Sequence, residues 1–309
     1  MREGMAAIVV TYNRKQLLCS CLDALLAQTF PLGEIHVVDN ASTDGTRTFL
    51  ESKGYLDRGN VHYLPLRENA GGAGGFYAGL KAALEGGCDW YWLMDDDAEP
   101  ESDAAAALVE LGLDVETAYG SCAVARSQTG ILELCWPVDV LRGERSERIV
   151  TYDGLPRTAD VRSLPFLGFV VSRMLVERVG LPDARYFLSG DDVDYSHRIR
   201  GSGGNLVCVK DSRITHPRPD RYVVNFFGRP FDCLRLAPWK RYYDIRNRVI
   251  NGRRHYGWRL ASATLPGILL RWAATVIVEP APVRQSAAYG RGLLDGILGR
   301  LGKRWEPGG

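Results

Sequence analysis

The stretch Trp90-Tyr91-Trp92-Leu93-Met94-Asp95-Asp96-Asp97-Ala98 decides how this chain is read. Its first half is aromatic and apolar, a composition that suits a pleated, packed surface and predicts a buried strand. The run stops at three adjacent carboxylates, which repel one another at neutral pH. Two arrangements relieve that repulsion: a solvated loop tip, or a divalent cation held by oxygen ligands. In open α/β sheets, ligands sit just beyond the carboxyl ends of strands, where these acids fall.

Working outward, Ala6 to Tyr12 is a continuous apolar run, as a buried parallel strand requires. Gln16 to Ala27 carries Leu17, Leu18, Cys21, Leu22, Leu25 and Leu26 at helical spacing. Glu34 to Val38 predicts a second strand that closes at Asp39-Asn40, and the turn 41–45 offers capping hydroxyls to a helix over Thr46–Lys53. Val61 to Leu66 is a third strand, running into the glycine-rich Asn69–Phe76 and then a helix to Glu85. Strands alternating with helices predict an α/β fold with a doubly wound, mostly parallel sheet. Right-handed crossovers then bring Asp39, the glycine loop and the aspartate triplet to one sheet edge.

Further on, an alanine-rich helix to Leu111 and a strand near Tyr119–Ala125 precede irregular residues 126–163, which read as an antiparallel insert. Leu164–Ser172 is again apolar, and a helix runs to Val179. A second acid cluster, Asp191-Asp192-Val193-Asp194, sits at a helix start, where the N-terminal dipole favours negative charge. Asn205–Lys210 is a strand, and Ile214–Pro217 ends the α/β part, dividing the chain into 1–216 and 217–309. Residues 217–238 read as a loop, and Trp239–Tyr256 as a basic aromatic helix. Leu260–Val278 is strongly apolar but interrupted by Pro266 and Arg271. A spanning helix needs about 20 nearly uncharged residues, so an interfacial or core-docked helix is expected instead. Gly290–Arg304 reads as a short amphipathic tail, with Glu306–Gly309 frayed.

The 309 residues suffice for one large domain or two modest ones, and 46% hydrophobic content supports a sizeable core. A net charge of +1 offers no global field to draw nucleic acid. Seven cysteines without a C-x-x-C pair fit a reduced, cytoplasmic protein with inert thiols. Met1–Met5 lead straight into the first strand, which leaves no secretory signal ahead of it.

The chemistry follows from four places. Glycines in Asn69–Phe76 let backbone approach a ligand, and amides at a helix start bind phosphate. The G-x-G-x-x-G fingerprint fails, because Tyr77 stands where its last glycine would follow Gly72 and Gly74, and no G-x-x-x-x-G-K-[ST] occurs. Both mismatches argue against a nicotinamide dehydrogenase or a P-loop enzyme. His216 is either an ordinary surface or core histidine, or the nitrogen ligand of a mixed shell with Asp95 and Asp97. Such a shell suits Mn²⁺ better than an all-oxygen Mg²⁺ site. Asp191-Asp192 is either a helix-capping pair or holds a general base for a bound hydroxyl.

Val9-Val10-Thr11-Tyr12-Asn13-Arg14, Val37–Thr46, the Asp95–Asp97 triplet, Gly190–Asp194 and His216 stand in the order seen in family 2 glycosyltransferases. Over roughly residues 6–255 the chain resembles that family and its GT-A fold, here with a helical C-terminal extension. Asn69–Phe76 is similar to the loop of bacterial galactofuranosyltransferases, with rhamnosyltransferases close by. The resemblance implies that Thr11, Tyr12 and Arg14 line the nucleotide, that Asp39 meets the uracil ring, and that Asn69 and Gly75 belong to the nucleotide-sugar site. It implies Asp95, Asp97 and His216 as ligands of Mn²⁺ or Mg²⁺, Asp96 near the ribose, and Asp192 as catalytic base with Asp191 as fallback. Trp239, Lys240 and Arg246 would face the diphosphate or the acceptor.

The expected reaction is inverting transfer from a nucleotide sugar, UDP-galactofuranose first, to a hydroxyl of a glycan or lipid-linked acceptor. The first motif is poorer in arginine and histidine than in actinobacterial galactofuranosyltransferases, so a dTDP-rhamnose donor stays open. A sugar nucleotidyltransferase is the alternative from another class, though no basic G-x-G-x-R-like start follows the first strand. The basic helix and the apolar segment after it point to peripheral contact with the cytoplasmic face of the inner membrane, or simply to docking on the domain. A homo-oligomer is also left open.

Overall fold

All seven residues of the first strand, β1 (Met5–Thr11), are buried, so the sheet is covered on both faces. The computed structural model describes residues 4–126, 130–143, 145–226 and 228–306. After β1 come α1 (Lys15–Leu26), β2 (Glu34–Asp39), α2 (Thr46–Ser52), β3 (Val61–Pro65), α3 (Gly71–Ala83) and β4 (Trp90–Asp95). A short β5 (Glu99–Pro100), α4 (Ala104–Val109) and a long β6 (Thr117–Arg126) follow. Then come β7 (Leu132–Leu134), β8 (Val138–Arg142), β9 (Arg145–Ile149), β10 (Thr158–Asp160), β11 (Phe169–Ser172), α5 (Arg173–Val179), α6 (Asp191–Gly201) and β12 (Asn205–Thr215). The C-terminal part is β13 (Arg221–Phe226), β14 (Arg229–Leu234), α7 (Pro238–Asn251), α8 (Leu265–Val278) and α9 (Pro282–Ile297).

Alternation along β1 builds two cores. Ala6, Ile8 and Val10 join Phe76 and Leu80 of α3 on one face. Met5, Ala7 and Val9 join Leu18 and Leu22 of α1 on the other. The sheet order is β10-β12-β6-β11-β4-β1-β2-β3. The β4-β1-β2-β3 half is parallel, as the strand–helix alternation predicts. The other half is mixed: β11 is wedged antiparallel between β4 and β6, while β6 and β12 run parallel. The register pairs Val10 with Asp95 and Thr11 with Asp39, so three strand ends bring the polar residues level. Residues 126–163 do form antiparallel additions, with β7 on β6, β10 on β12, and β8 paired with β9. The parts of that insert at 127–129 and 144 lie outside the described residues, as do residues 1–3 ahead of β1 and 307–309 of the expected frayed end.

Three expectations for the C-terminal part are corrected. Residues 217–238, expected as a loop, contain the hairpin β13–β14, in which Tyr222 faces Cys233 and Arg221 binds Asp232. Prolines at 217, 219, 230 and 238 hide its alternating pattern in the sequence. The basic helix docks on the domain with Arg241 and Arg246 buried. Arg246 is fully buried, donating to the carbonyls of Tyr186 and Gly302, each at 2.6 Å, with its guanidinium 4.8 Å over the Tyr243 ring. It faces neither diphosphate nor acceptor. Arg241 is 2% exposed and bonds Glu279, 1% exposed, at 2.7 Å. The amphipathic tail is the end of a longer helix. α9 lies so close on α7 that a Cβ at Gly292 would come 2.8 Å from the Tyr242 carbonyl. In contrast, α8 turns much of its apolar surface outward, with Ile277 70% exposed. By length and composition alone, Leu260–Val278 is long and apolar enough to cross a membrane.

Candidate active site

The end of β4 delivers the aspartate triplet to the carboxyl edge of the sheet, and the end of β1 delivers its partners. Thr11 Oγ1 donates to Asp96 Oδ2 at 2.7 Å. Arg14 Nη1 reaches Asp96 Oδ1 at 3.2 Å and Asp97 Oδ2 at 2.8 Å. Across the sheet, β12 ends beside β5, and His216 just after it places Nε2 3.4 Å from Asp97 Oδ1. The histidine some 120 positions downstream therefore meets the triplet in space.

The charges divide unequally. Burial pushes Asp95 up to about 8, with Asp97, Asp96 and Asp191 adding repulsion. Burial also raises Asp96, against the pull of Thr11 and Arg14. For Asp97, burial is outweighed by His216 and Arg14, and the carboxyl lies below its usual range. His216 is raised in turn, Asp97 overcoming the effect of burial. Arg14 and His216 thus satisfy Asp97 and Asp96 and leave Asp95 short of positive charge. Two carboxylates and an imidazole with such a deficit fit a hard divalent cation. Among the described residues, the His/carboxylate group whose ligand atoms all lie within 4.8 Å of one another is Glu34, His36 and His62, at the opposite end of β2; in the triplet cluster the direct contact is His216 with Asp97.

The second wall is the glycine loop. Asn40 fixes it from both sides, its Nδ2 donating to the Gly71 carbonyl at 2.9 Å while its Oδ1 accepts from Ala70 N at 2.8 Å. Asn69 Oδ1 accepts from Gly71 N at 2.8 Å. Gly71 has φ of +74°, and any Cβ there would run into the Phe187 carbonyl, so glycine is required. Between these walls lies a cleft of about 460 Å³. Of the expected site residues, Thr11, Tyr12, Arg14, Asn69, Asp95, Asp96, Asp97 and His216 line it. Asp39 and Gly75 do not. Asp39 is buried, accepting from Ser42 N at 2.7 Å and from the Tyr63 hydroxyl. Gly75 faces the sheet, where a Cβ would collide with Val10, so it is a packing glycine.

Several lining residues were missed or unplaced from sequence: Asn40, Phe187, Leu188, Lys303, Trp305 and Glu306, besides Trp239 and Lys240. Asn40 sits inside the quoted Val37–Thr46 motif and could have been found. Trp305 carries no local signal. It arrives because α9 folds back on α7 and the Tyr243 hydroxyl accepts from the backbone amides of residues 304 and 305.

Asp191 and Asp192 begin α6 behind Gly190, whose φ of +79° only glycine adopts readily. α7 holds this loop: Asn247 Nδ2 donates to the carbonyls of Leu188 and Ser189, and Asn251 Nδ2 to that of Gly190. Asp192 Oδ1 accepts from Val193 N at 2.8 Å. Burial raises the pKa of both acids, and they repel each other. Asp191 stands near enough to Asp95 to raise it. Asp192 lines a smaller cavity of about 200 Å³ with Trp136, whose ring packs edge-on at 5.5 Å against His216. Asp194 is tied down by His255 at 2.8 Å and Arg254 at 3.2 Å. Two raised carboxyls one cavity away from a cation-seeking cluster can serve acid–base chemistry on a hydroxyl.

Comparison with known proteins follows the same lines. Residues 6–155 match Glycosyl transferase family 2. Galactofuranosyltransferase GlfT1 of Mycobacterium tuberculosis (strain ATCC 25618 / H37Rv) is 31% identical over 256 residues, covering 80% of this chain and 82% of that protein. dTDP-rhamnosyl transferase RfbF of Shigella flexneri is 24% identical over 308 residues, covering 98% of each. Among solved structures, GalNAc-T7 with UDP, GalNAc and Mn²⁺ aligns with a TM-score of 0.63 at 14% identity, over 96% of this chain. The chain spans only 56% of that structure's length. Mannosyltransferase PcManGT from Pyrobaculum calidifontis, in complex with GDP-Man and Mn²⁺, aligns with a TM-score of 0.58 at 19% identity, over 97% of this chain and 88% of that one. At such identities the two structures speak to the fold alone, which is GT-A.

Proposed function

This chain belongs to glycosyl transferase family 2, and from that premise we propose that it transfers galactofuranose from a UDP-linked donor to an acceptor hydroxyl, with inversion. Family membership makes it a glycosyltransferase that draws on a nucleotide sugar, and removes the ground for the nucleotidyltransferase alternative. The observation that carries the finer reading is the cluster of Asp95, Asp97 and His216 at the end of β4, with Arg14 and His216 paired to Asp97. The similarity to GlfT1 supports the sugar. The full-length similarity to RfbF favours dTDP-rhamnose as the second reading.

Asp95, Asp97 and His216 would hold Mn²⁺ or Mg²⁺, which supplies positive charge to a leaving diphosphate. Arg14, Lys240 and Lys303 line the same cleft and add fixed cations for the phosphates. Thr11 and Tyr12 border the nucleotide, with Trp305 closing the cleft from the C-terminal end. Asp192 accepts the acceptor's hydroxyl proton. The freed oxygen forms its bond to the anomeric carbon while the bond to the diphosphate oxygen breaks, releasing UDP. A single displacement of this kind inverts the anomeric centre. Aligning two substrates in one cleft contributes much of the rate.

We place the enzyme at the cytoplasmic face of a membrane, acting on a glycan or lipid-linked acceptor. The outward apolar residues of α8, Leu269, Trp272 and Ile277 among them, support that location. Donor hydrolysis with UDP-galactofuranose and dTDP-rhamnose tests the sugar. Turnover of UDP-galactofuranose alone agrees with the proposal, and turnover of dTDP-rhamnose alone moves it to the second reading. Flotation with lipid vesicles tests the location, and glutamate at 269, 272 and 277 should abolish it.

A further inference from the structure

A second and larger cavity, of about 880 Å³, opens on the other side of the loop that carries Asp192. Gly190 and Val193 form part of its wall, so it flanks the proposed base without belonging to the donor cleft. Four arginines line it, Arg162, Arg248, Arg259 and Arg271, against a single carboxylate, Asp244. Asp244 is taken by Arg248 at 2.8 Å. The side chains of Arg162 and Arg259 have no hydrogen bond or ion pair among the described residues. His197 also lines the cavity, and its Nε2 is buried with no partner.

The positive field is visible in the groups that feel it. Burial, then His255 and Arg162, push His197 down to about 4. Burial and Arg248 hold Arg271 below the ordinary guanidinium range. Arg248 also acts on Asp192 itself, favouring its charged form. Four guanidinium groups gathered on one concave wall repel one another, and a bound anion would relieve that repulsion. Next to them lies apolar surface with nothing on it: Trp258, 76% exposed, at the rim, and α8 running away from Ile268. An anion carried on an apolar group would match both surfaces.

We propose that this cavity binds the phosphate or diphosphate group of a lipid-linked acceptor, with the lipid lying along α8 and the acceptor sugar directed to Asp192. The assignment rests on the transferase reading above, yet it can fail separately. Guanidinium pairs suit phosphate oxygens because their fork geometry allows two parallel hydrogen bonds. The anion would be held by Arg162 and Arg259 at the mouth and by Arg248 and Arg271 within.

The test uses the full chain and farnesyl diphosphate as probe, measured by calorimetry below its micelle concentration, with UDP and Mn²⁺ binding measured in parallel. Wild type should bind farnesyl diphosphate, and saturating UDP should not displace it. The double variant R162A/R259A should bind it at least about tenfold more weakly, since two charge-assisted contacts are lost. R162K/R259K should recover part of the affinity, and UDP affinity should stay within about twofold in both. Unchanged affinity in R162A/R259A, or displacement by UDP, overturns the assignment. Vesicles of phosphatidylglycerol distinguish the other source of the same chemistry. If the double variant loses those vesicles but keeps farnesyl diphosphate, the cavity reads bulk lipid headgroups and the proposal is wrong. Loss of UDP binding in the wild type itself would strike the transferase reading instead.

Discussion

Replacing Asp192 by Asn removes the proposed proton acceptor while changing almost nothing else. The Asn oxygen can still accept from Val193 N, the bond Asp192 Oδ1 makes at 2.8 Å. Burial opposes the Asp192 charge, and Asp191 next to it repels it, so a neutral amide relieves the loop rather than straining it. The melting temperature should therefore hold or rise slightly. The donor cleft does not include residue 192, so UDP affinity should be unchanged within about twofold. Turnover should fall by about 10²–10⁴, the usual worth of general base catalysis. That corresponds to about 2.7–5.4 kcal/mol in the barrier. The assay is UDP release with a hydroxyl acceptor, alongside calorimetry with UDP. The pH profile supplies a second readout. Because the acid is raised, wild-type turnover should decline on the acid side at a pH above the ordinary carboxylate range. A variant that turns over within a factor of about three of wild type has lost no general base, and the role would pass to Asp191 or to neither.

Gly71→Ala should destabilise by about 1–2 kcal/mol from its left-handed backbone alone, and more from the contact with the Phe187 carbonyl. A lower melting temperature with weakened UDP binding is expected, and a neutral outcome would mean the loop sits differently. Arg241→Ala strands Glu279 in the core and should cost about 3–5 kcal/mol by denaturant unfolding. A change below about 1 kcal/mol would show the pair is hydrated. His197, pushed down to about 4 from 6.5, makes the unfolded chain the better proton acceptor between those pH values. Stability should thus fall as pH drops from about 6.5 towards 4, by about 1–2 kcal/mol after allowing for solvent contact. In His197→Gln that part of the decline should vanish, which paired urea titrations at both pH values would detect.

The aspartate–histidine half of the candidate site was legible because strand ends can be read from where apolar runs stop. Thr11, Asp95–Asp97 and His216 each follow such a run, and a parallel sheet aligns those ends. The rest was hidden for particular reasons. Gly75 follows Gly71 by about one helical turn and faces Val10, a matter of helix phase that a run of glycines does not display. Asp39 has its oxygens taken partly by Tyr63, on the neighbouring strand β3. Arg241 and Arg246 read as members of a basic helix, with Arg246 turned to the diphosphate or the acceptor, but their partners are Glu279 and backbone carbonyls as distant as Gly302. Nothing local to a basic helix reveals an acid almost 40 positions on. The same return path of the chain brings Lys303 and Trp305 to the donor cleft.

The claim beneath the whole account is that Asp95, Asp97 and His216 form one cation site for a nucleotide diphosphate. UDP titrated calorimetrically into the wild type and into Asp97→Ala, each with and without Mn²⁺, tests it most directly. In the wild type Mn²⁺ should tighten UDP by about tenfold or more, and Asp97→Ala should lose that gain. Equal UDP affinity with and without Mn²⁺ in the wild type would contradict it.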